Sequence, residues 1–335
     1  MADIDSATAP PAARVARFGA LFEKILAAVA TRVVGQRPVV ASVLSAVVAG
    51  GHVLLEGVPG LGKTLLVRSL AEALDLEFGR VQFTPDLMPA DVTGTHLIVD
   101  EPDGRKGFRF QPGPIFANVV LADEINRATP KTQSALLEAM EEHAVTAGGR
   151  RYDLGGLFSV LATQNPIEME GTYPLPEAQL DRFLLKVLVP YPDLATLCEI
   201  GRRTAVAEVA SLAKAAGPED LLEMRRLAGS VAVSPHVEQF AARLVRATHP
   251  EDPGAPAPVR RSVRYGASPR GLIAILRSGK IRALLAGRFH LAAEDIQAVA
   301  HEALRHRLVL SFEGEAEGVR PDDLVDATLE AVRRP

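Results

Sequence analysis

Tryptophan is absent from this chain of 335 residues, cysteine occurs once, and aromatic residues make up only 5%. The single thiol, Cys198, excludes an internal disulfide framework and any paired-cysteine metal site. It reads as a packed helical residue rather than a nucleophile. With few aromatics against 47% hydrophobic residues, Leu, Val, Ile and Ala must fill the core, which suits helices laid on a parallel sheet. No run approaches the ~20 apolar residues of a bilayer span. The most apolar early stretch, Val39 to Leu55, is broken by Gly50, Gly51 and His52. No charged-then-apolar leader is visible, so a soluble, cytoplasmic protein with no membrane span is expected. A basic excess is also missing: the formal net charge is −4, with no stripe of Lys and Arg. Nucleic acid is therefore not an expected partner.

The length predicts about two domains. Residues 1–13, rich in Ala and Pro, read as a flexible tail. From Phe18 to Ala49 the pattern is helical, with a turn at Val33-Val34-Gly35-Gln36. Short apolar runs at Val53–Leu55, Phe78–Phe83, Asn118–Ala122, Phe158–Ala162 and Leu185–Val189 read as strands alternating with helices. That alternation predicts an α/β fold with a five-stranded parallel sheet and helices on both faces. Thr95 to Phe110 reads as a hairpin-bearing insertion turning at Asp100 to Gly104. After Pro192 the strands stop, and helices are expected over 193–213, 218–229, 234–248, 268–286, 292–310 and 321–333. The division is thus a core over 14–192 and an all-helical lid over 193–335.

Gly57-Val58-Pro59-Gly60-Leu61-Gly62-Lys63-Thr64 matches G-x-x-x-x-G-K-[ST] completely, between an apolar strand and a helix. Glycines there let backbone N–H groups turn toward phosphate oxygens at a helix N-terminus, where the dipole favours anions. Lys63 adds a point charge for the terminal phosphates of ATP or ADP, and the segment in contact extends to Leu65. Thr64 offers a hydroxyl to Mg²⁺, as does the carboxylate of Asp123 at the end of the apolar run Val119 to Ala122. Glu124, next in line, suits the base that activates an attacking water. Asn165 stands at another strand end, where its amide can hold that water; alone it reads equally as a turn residue before Pro166. In Ser268-Pro269-Arg270 a cation sits in the first turn of a capped helix, facing the positive dipole end. An anionic ligand would offset that placement, and a solvated Arg is the alternative. His301 and His306 are five positions apart, about 140° around a helix, and cannot share a metal.

The run from Leu121 to Glu142 (LADEINRATPKTQSALLEAMEE) strongly resembles the MoxR family of AAA+ ATPases. So do Phe83 to Gly94 (FTPDLMPADVTG), Ala162 to Pro166 (ATQNP) and Gly266 to Arg270 (GASPR). The resemblance spans about Val33 to Asp326. It implies a P-loop core with an insertion matching Thr95–Phe110, a helical lid, and a ring of subunits, usually a hexamer, with ATP at each junction. It also implies sensor 1 at Asn165, sensor 2 at Arg270 and an arginine finger at Arg182. An ion pair with a nearby acid is the alternative for Arg182. Relatives are thought to remodel or mature partner proteins, often ones with von Willebrand factor A domains. A nucleic-acid motor, a metal-chelatase-like motor subunit and a nucleotide-dependent scaffold are the competing functions. The charge balance disfavours the first, and Glu124 disfavours a scaffold that does not hydrolyse.

Overall fold

The computed structural model describes residues 10–100, 106–166, 172–206 and 212–333. Its strands are β1 (Val53–Glu56), β2 (Phe78–Gln82), β3 (Gly94–Asp100), β4 (Lys106–Pro112), β5 (Val119–Asp123) and β6 (Ala144–Ala147). They continue with β7 (Arg150–Asp153), β8 (Ser159–Gln164), β9 (Leu185–Leu188), β10 (Val263–Tyr265) and β11 (Val309–Leu310). Five of them form the central sheet in the order β2-β5-β8-β1-β9, and every pairing within it is parallel. Successive side chains on a strand face opposite ways. Here Val53, Leu55, Val119, Leu121 and Leu161 join one buried cluster, and Leu54, Val120, Ala122, Val160 and Ala162 join the other. Both faces are covered, which explains why these runs are continuously apolar rather than alternating.

Helix Pro130–Glu142 closes one face through Leu136, Leu137 and Met140. Helices Pro11–Ala30, Arg37–Val48 and Lys63–Ala73 contribute to the cluster on the other face. That second cluster runs on without a break into Leu244, Ile275, Ile281 and Leu304 of the C-terminal helices, so the apolar core continues across Pro192. The first helix begins at Pro11, inside the stretch read as a tail. The helix expected over 193–213 is seen at Leu194–Val206, and residues 207–211 lie outside the described ones.

The insertion is a hairpin in which β3 pairs with β4 and Ile98 faces Phe108; its expected turn falls largely on residues 101–105, outside the described ones. A second hairpin, β6 with β7, was not legible as strands. The helix expected over 292–310 stops at Leu304, because the chain turns at Arg305–Arg307 and then pairs as β11 with β10. Cys198 is exposed on helix Leu194–Val206, not packed as expected. Among the described residues no helix is long and apolar enough to cross a membrane.

His52, just before β1, fastens three elements. Its Nδ1 accepts the N–H of Val160 at 2.9 Å, and its Nε2 lies 3.1 Å from the Met140 carbonyl. Both contacts require the neutral ring with its proton on Nε2. Burial pushes its pKa down from 6.5 to about 4. The unfolded chain therefore binds a proton between these values that the folded chain refuses. Stability from this residue is complete above pH 6.5 and about 3 kcal/mol is lost as pH falls to 4. Thermal melts across that range should show a steep acid slope that His52→Asn flattens. Equal slopes in the two proteins would rule out His52 as its source.

Candidate functional site

β1 delivers the phosphate loop at its C-terminal end, beside β8, where parallel sheets bind ligands. Gly57 must lack a side chain, since a Cβ there would lie 2.9 Å from the Val189 carbonyl. Gly60 and Gly62 take φ of 80° and 74°, which turns the loop into the start of helix Lys63–Ala73. Lys63 Nζ donates to the carbonyls of Gly57 and Val58, holding the cation across the mouth of the loop.

The acidic strand end faces that loop. Asp123 accepts through Oδ2 from Thr64 Oγ1 at 3.3 Å and from Arg80 Nη2 at 2.7 Å. Its Oδ1 accepts from Thr163 Oγ1 at 2.7 Å. A hydroxyl and a carboxylate oxygen at this separation are the hard donors that Mg²⁺ takes alongside phosphate and water. Among the described residues there is no group of three His, Cys, Asp or Glu able to hold a metal alone. Glu124 adopts φ 57° and ψ 50°, a left-handed conformation that costs a non-glycine residue roughly 1–2 kcal/mol. It is held there by its N–H donating to Thr163 Oγ1 at 2.8 Å. Its carboxylate Oε2 accepts from Gln82 Nε2 at 2.8 Å and Arg127 Nη1 at 2.9 Å. Asn165 is buried at the end of β8, and the Gly57 N–H donates to the neighbouring Gln164 carbonyl. Sequence reading missed Gln82, Arg80 and Thr163. Gln82 and Thr163 carry only the weak signal of a polar side chain near a strand end, and Arg80, in the middle of β2, carries none.

Sequence reading also missed a cleft of about 330 Å³ that adjoins the phosphate loop. Val33, Val34, Leu65, Tyr191, Leu197 and Ile200 are among its lining residues. Gln36 also lines it; its Nε2 donates to the Leu61 carbonyl at 2.7 Å, while its Oε1 is buried and has no hydrogen-bond partner. A largely apolar cleft with Arg32 and Arg203 also on its wall and one unsatisfied acceptor, beside a phosphate cradle, fits a purine carrying an exocyclic amine.

Arg182 and Arg270 are brought together elsewhere. Arg182 Nη2 lies 2.8 Å from Glu141 Oε2, and Arg270 Nη2 donates to the other oxygen of the same carboxylate. The ion-pair alternative for Arg182 is thus what the isolated chain displays. Ser268 caps the Arg270 helix as expected, and its hydroxyl also donates to Asp181 Oδ2 at 2.7 Å. The register of β1 with β9 pairs Val53 with Leu185 and Glu56 with Leu188. Arg182, three residues before β9, therefore stands at the opposite edge of the sheet from Gly57. Glu141 stands there too. It lies in the last turn of a helix that runs back from the Glu124 end, and His143, two residues further on, packs on His52 and Phe158 at the strand entrances.

Strand order, phosphate loop, acidic strand end and helical lid together define a AAA+ P-loop module. Residues 52–185 match the ATPase family associated with various cellular activities (AAA), and residues 257–328 match the AAA lid domain. The chain is 43% identical to the uncharacterized protein YeaC of Bacillus subtilis, over 90% of this chain and 91% of that one. It is 41% identical to the chaperone MoxR1 of Mycobacterium tuberculosis, over 90% and 79%. Against the protein MoxR of Methylorubrum extorquens it is 35% identical over 92% and 93%. The crystal structure of a presumed ATPase from Cytophaga hutchinsonii superposes with a TM-score of 0.88 at 40% identity, covering 95% of this chain and 96% of that one. The chain belongs to the MoxR family of AAA+ ATPases.

The orphan acceptor of Gln36 generates a prediction. A net hydrogen bond of about 1 kcal/mol to an adenine amine corresponds to roughly fivefold in affinity. ATP should bind more tightly than GTP, and Gln36→Leu should shrink that ratio about fivefold in competition titrations with a fluorescent nucleotide. An unchanged ratio would mean that Gln36 does not read the base.

Proposed function

We propose that this chain hydrolyses MgATP at the subunit junctions of a hexameric ring and uses the cycle for chaperone-like remodelling or maturation of partner proteins. Proteins with von Willebrand factor A domains are the client class. The observation that carries the hydrolytic reading is the convergence of Lys63, Thr64, Asp123, Glu124 and Asn165 at one end of the sheet. The reading of shared catalysis rests on Arg182 and Arg270 standing at the other end. Neither arginine is poised over its own phosphate loop, and together they offer two cations to one half-exposed carboxylate. A neighbour's triphosphate is a stronger partner than Glu141, because charge-assisted contacts to phosphate are worth about 1.5–3 kcal/mol and exposed ion pairs about 0–1.

In this mechanism the cleft orients the base and the loop N–H groups cradle the phosphates. Lys63 exchanges its carbonyl partners for phosphate oxygens. Thr64 and Asp123 would hold Mg²⁺, which when bound would neutralise charge on the phosphates. Glu124, with Oε2 fixed by Gln82 and Arg127, presents Oε1 to the attacking water and takes its proton. Asn165 orients the same water. Arg182 and Arg270, from the adjacent subunit, match the charge that develops at the transferred phosphoryl group.

A protein client suits the surface. Ile98 is 64% exposed and Phe108 77% exposed, and they face each other across the insertion hairpin, with Met88 also exposed nearby in sequence. Apolar side chains displayed this way mark contact sites for other proteins. Together with the net charge of −4, they favour a polypeptide over a nucleic acid.

Lys63→Ala should abolish ATP binding. Glu124→Gln should bind ATP normally and hydrolyse about 10²–10⁴-fold more slowly. Nucleotide titration and phosphate release separate the two, and wild-type turnover by Glu124→Gln would remove the base assignment. Arg182→Ala should bind ATP almost normally and hydrolyse it slowly, at a residual rate that single-turnover assays still measure. Mixing it with Lys63→Ala should restore activity, since each Lys63-defective subunit still offers its finger to an intact site. No recovery at any ratio, in rings shown to exchange subunits, would exclude action across the junction.

A further inference from the structure

Arg307 is a charged side chain buried to 2% exposure. It sits just past the end of helix Ala293–Leu304, in the part of the chain most distant in sequence from the phosphate loop. Its guanidinium spends nearly all its donors on one short segment of the core. Nε donates to Asp181 Oδ1 at 2.8 Å, and Nη2 donates to the carbonyls of Asp181 at 3.0 Å and Phe183 at 2.7 Å. Nη1 donates to the Leu184 carbonyl at 3.3 Å and to that of Ala303 in its own helix. The contacts bracket Arg182 on both sides. His306, also buried, adds a contact at 3.1 Å between Nε2 and the Phe183 carbonyl.

The same side chain touches the start of the Arg270 helix. A Cβ added at Gly271 would come within 3.2 Å of Arg307 Cδ, so the methylene stem lies against the backbone one residue past Arg270. Asp181 closes the triangle, accepting from Arg307 through one oxygen and from Ser268, the cap of that helix, through the other.

Burying a charge costs several kcal/mol unless it is paired and fully hydrogen-bonded, and an apolar residue of similar volume is often no less stable. Stability alone therefore does not account for an arginine here. A planar fork with five donors does what an apolar residue cannot: it dictates where the carbonyls of Asp181, Phe183 and Leu184, on either side of Arg182, point.

We infer that Arg307 is a positioning residue for the trans-acting arginines, locking the Arg182 segment and the Arg270 helix into one rigid unit. This rests on the reading that Arg182 acts on the neighbouring subunit's nucleotide. The finger loop then moves only as the lid moves, and lid and finger present their two guanidiniums in fixed register. Displacing a catalytic group by about 1 Å can cost 10²-fold in rate.

The test is Arg307→Lys, which keeps the charge and loses the fork. In steady-state assays kcat should fall at least tenfold, with KM for ATP within twofold of wild type, because the variant's own nucleotide site is untouched. In the Arg182→Ala background the same change should cost nothing further. Mixing Arg307→Lys with Lys63→Ala should recover activity, as each Lys63-defective subunit carries an intact Arg307 and finger. Wild-type kcat, a further loss on top of Arg182→Ala, or no recovery in a mixture where Arg182→Ala does recover would each overturn the proposal. If Arg182→Ala itself turns over normally, the trans-finger reading fails first and is identified as the failure. Should Arg307→Lys not fold by circular dichroism, Asp181→Asn, which removes only the charge from the same contact, is read by the same three criteria.

Discussion

The parallel pairing of β1 with β9 is the constraint on which the rest of the molecule depends. Because both strands run the same way, the segment leaving β1 and the segment entering β9 lie at opposite edges of one sheet. The first is the phosphate loop and the second holds Arg182. A single chain cannot bring them together without dismantling the sheet. Under the proposed function, chemistry that needs both draws them from two copies of the chain.

Electrostatics at each edge follows from that separation. At the phosphate end the acids are restrained by their neighbours: Asp123 by Thr163 and Arg80 and Glu124 by Gln82, all on adjacent strands, with Arg127, three residues further along the chain, also on Glu124. The left-handed backbone at Glu124 is tolerated because Thr163 receives its N–H. At the opposite edge Glu141 is shared between two arginines, and Asp181 is shared among Arg307, Ser268 and Arg270. One edge is built to receive an anion and the other to supply cations to one.

The parts of the candidate site that lie in a local motif were legible in the sequence. Gly57 to Thr64 and the Asp123–Glu124 pair sit in short runs whose strand or helix setting could be read from apolar pattern. The three inner strands, β1, β5 and β8, were legible for the same reason, each being an apolar run buried on both faces, whereas the edge strands β2 and β9 are buried only in part. What was hidden is assembled from distant segments. The base cleft joins Val33, Gln36, Tyr191 and Leu197, none of which signals a ligand alone. The partnership of Arg182 with Glu141 spans a helix, a loop and a strand entrance. The β6–β7 hairpin was missed because its residues, from Ala144 to Asp153, carry no continuous apolar run. Packing also overrode the expectation for Cys198, which lies on the solvent side of its helix.

That exposure has a practical meaning. The chain has one thiol, and it sits directly after Leu197, which lines the base cleft. A maleimide dye will therefore label a single defined position without any engineering of the sequence. The label borders the place where a purine would seat, on a helix that also supplies Ile200 to the cleft. A dye at Cys198 would thus stand beside this cleft and report on whatever occupies it.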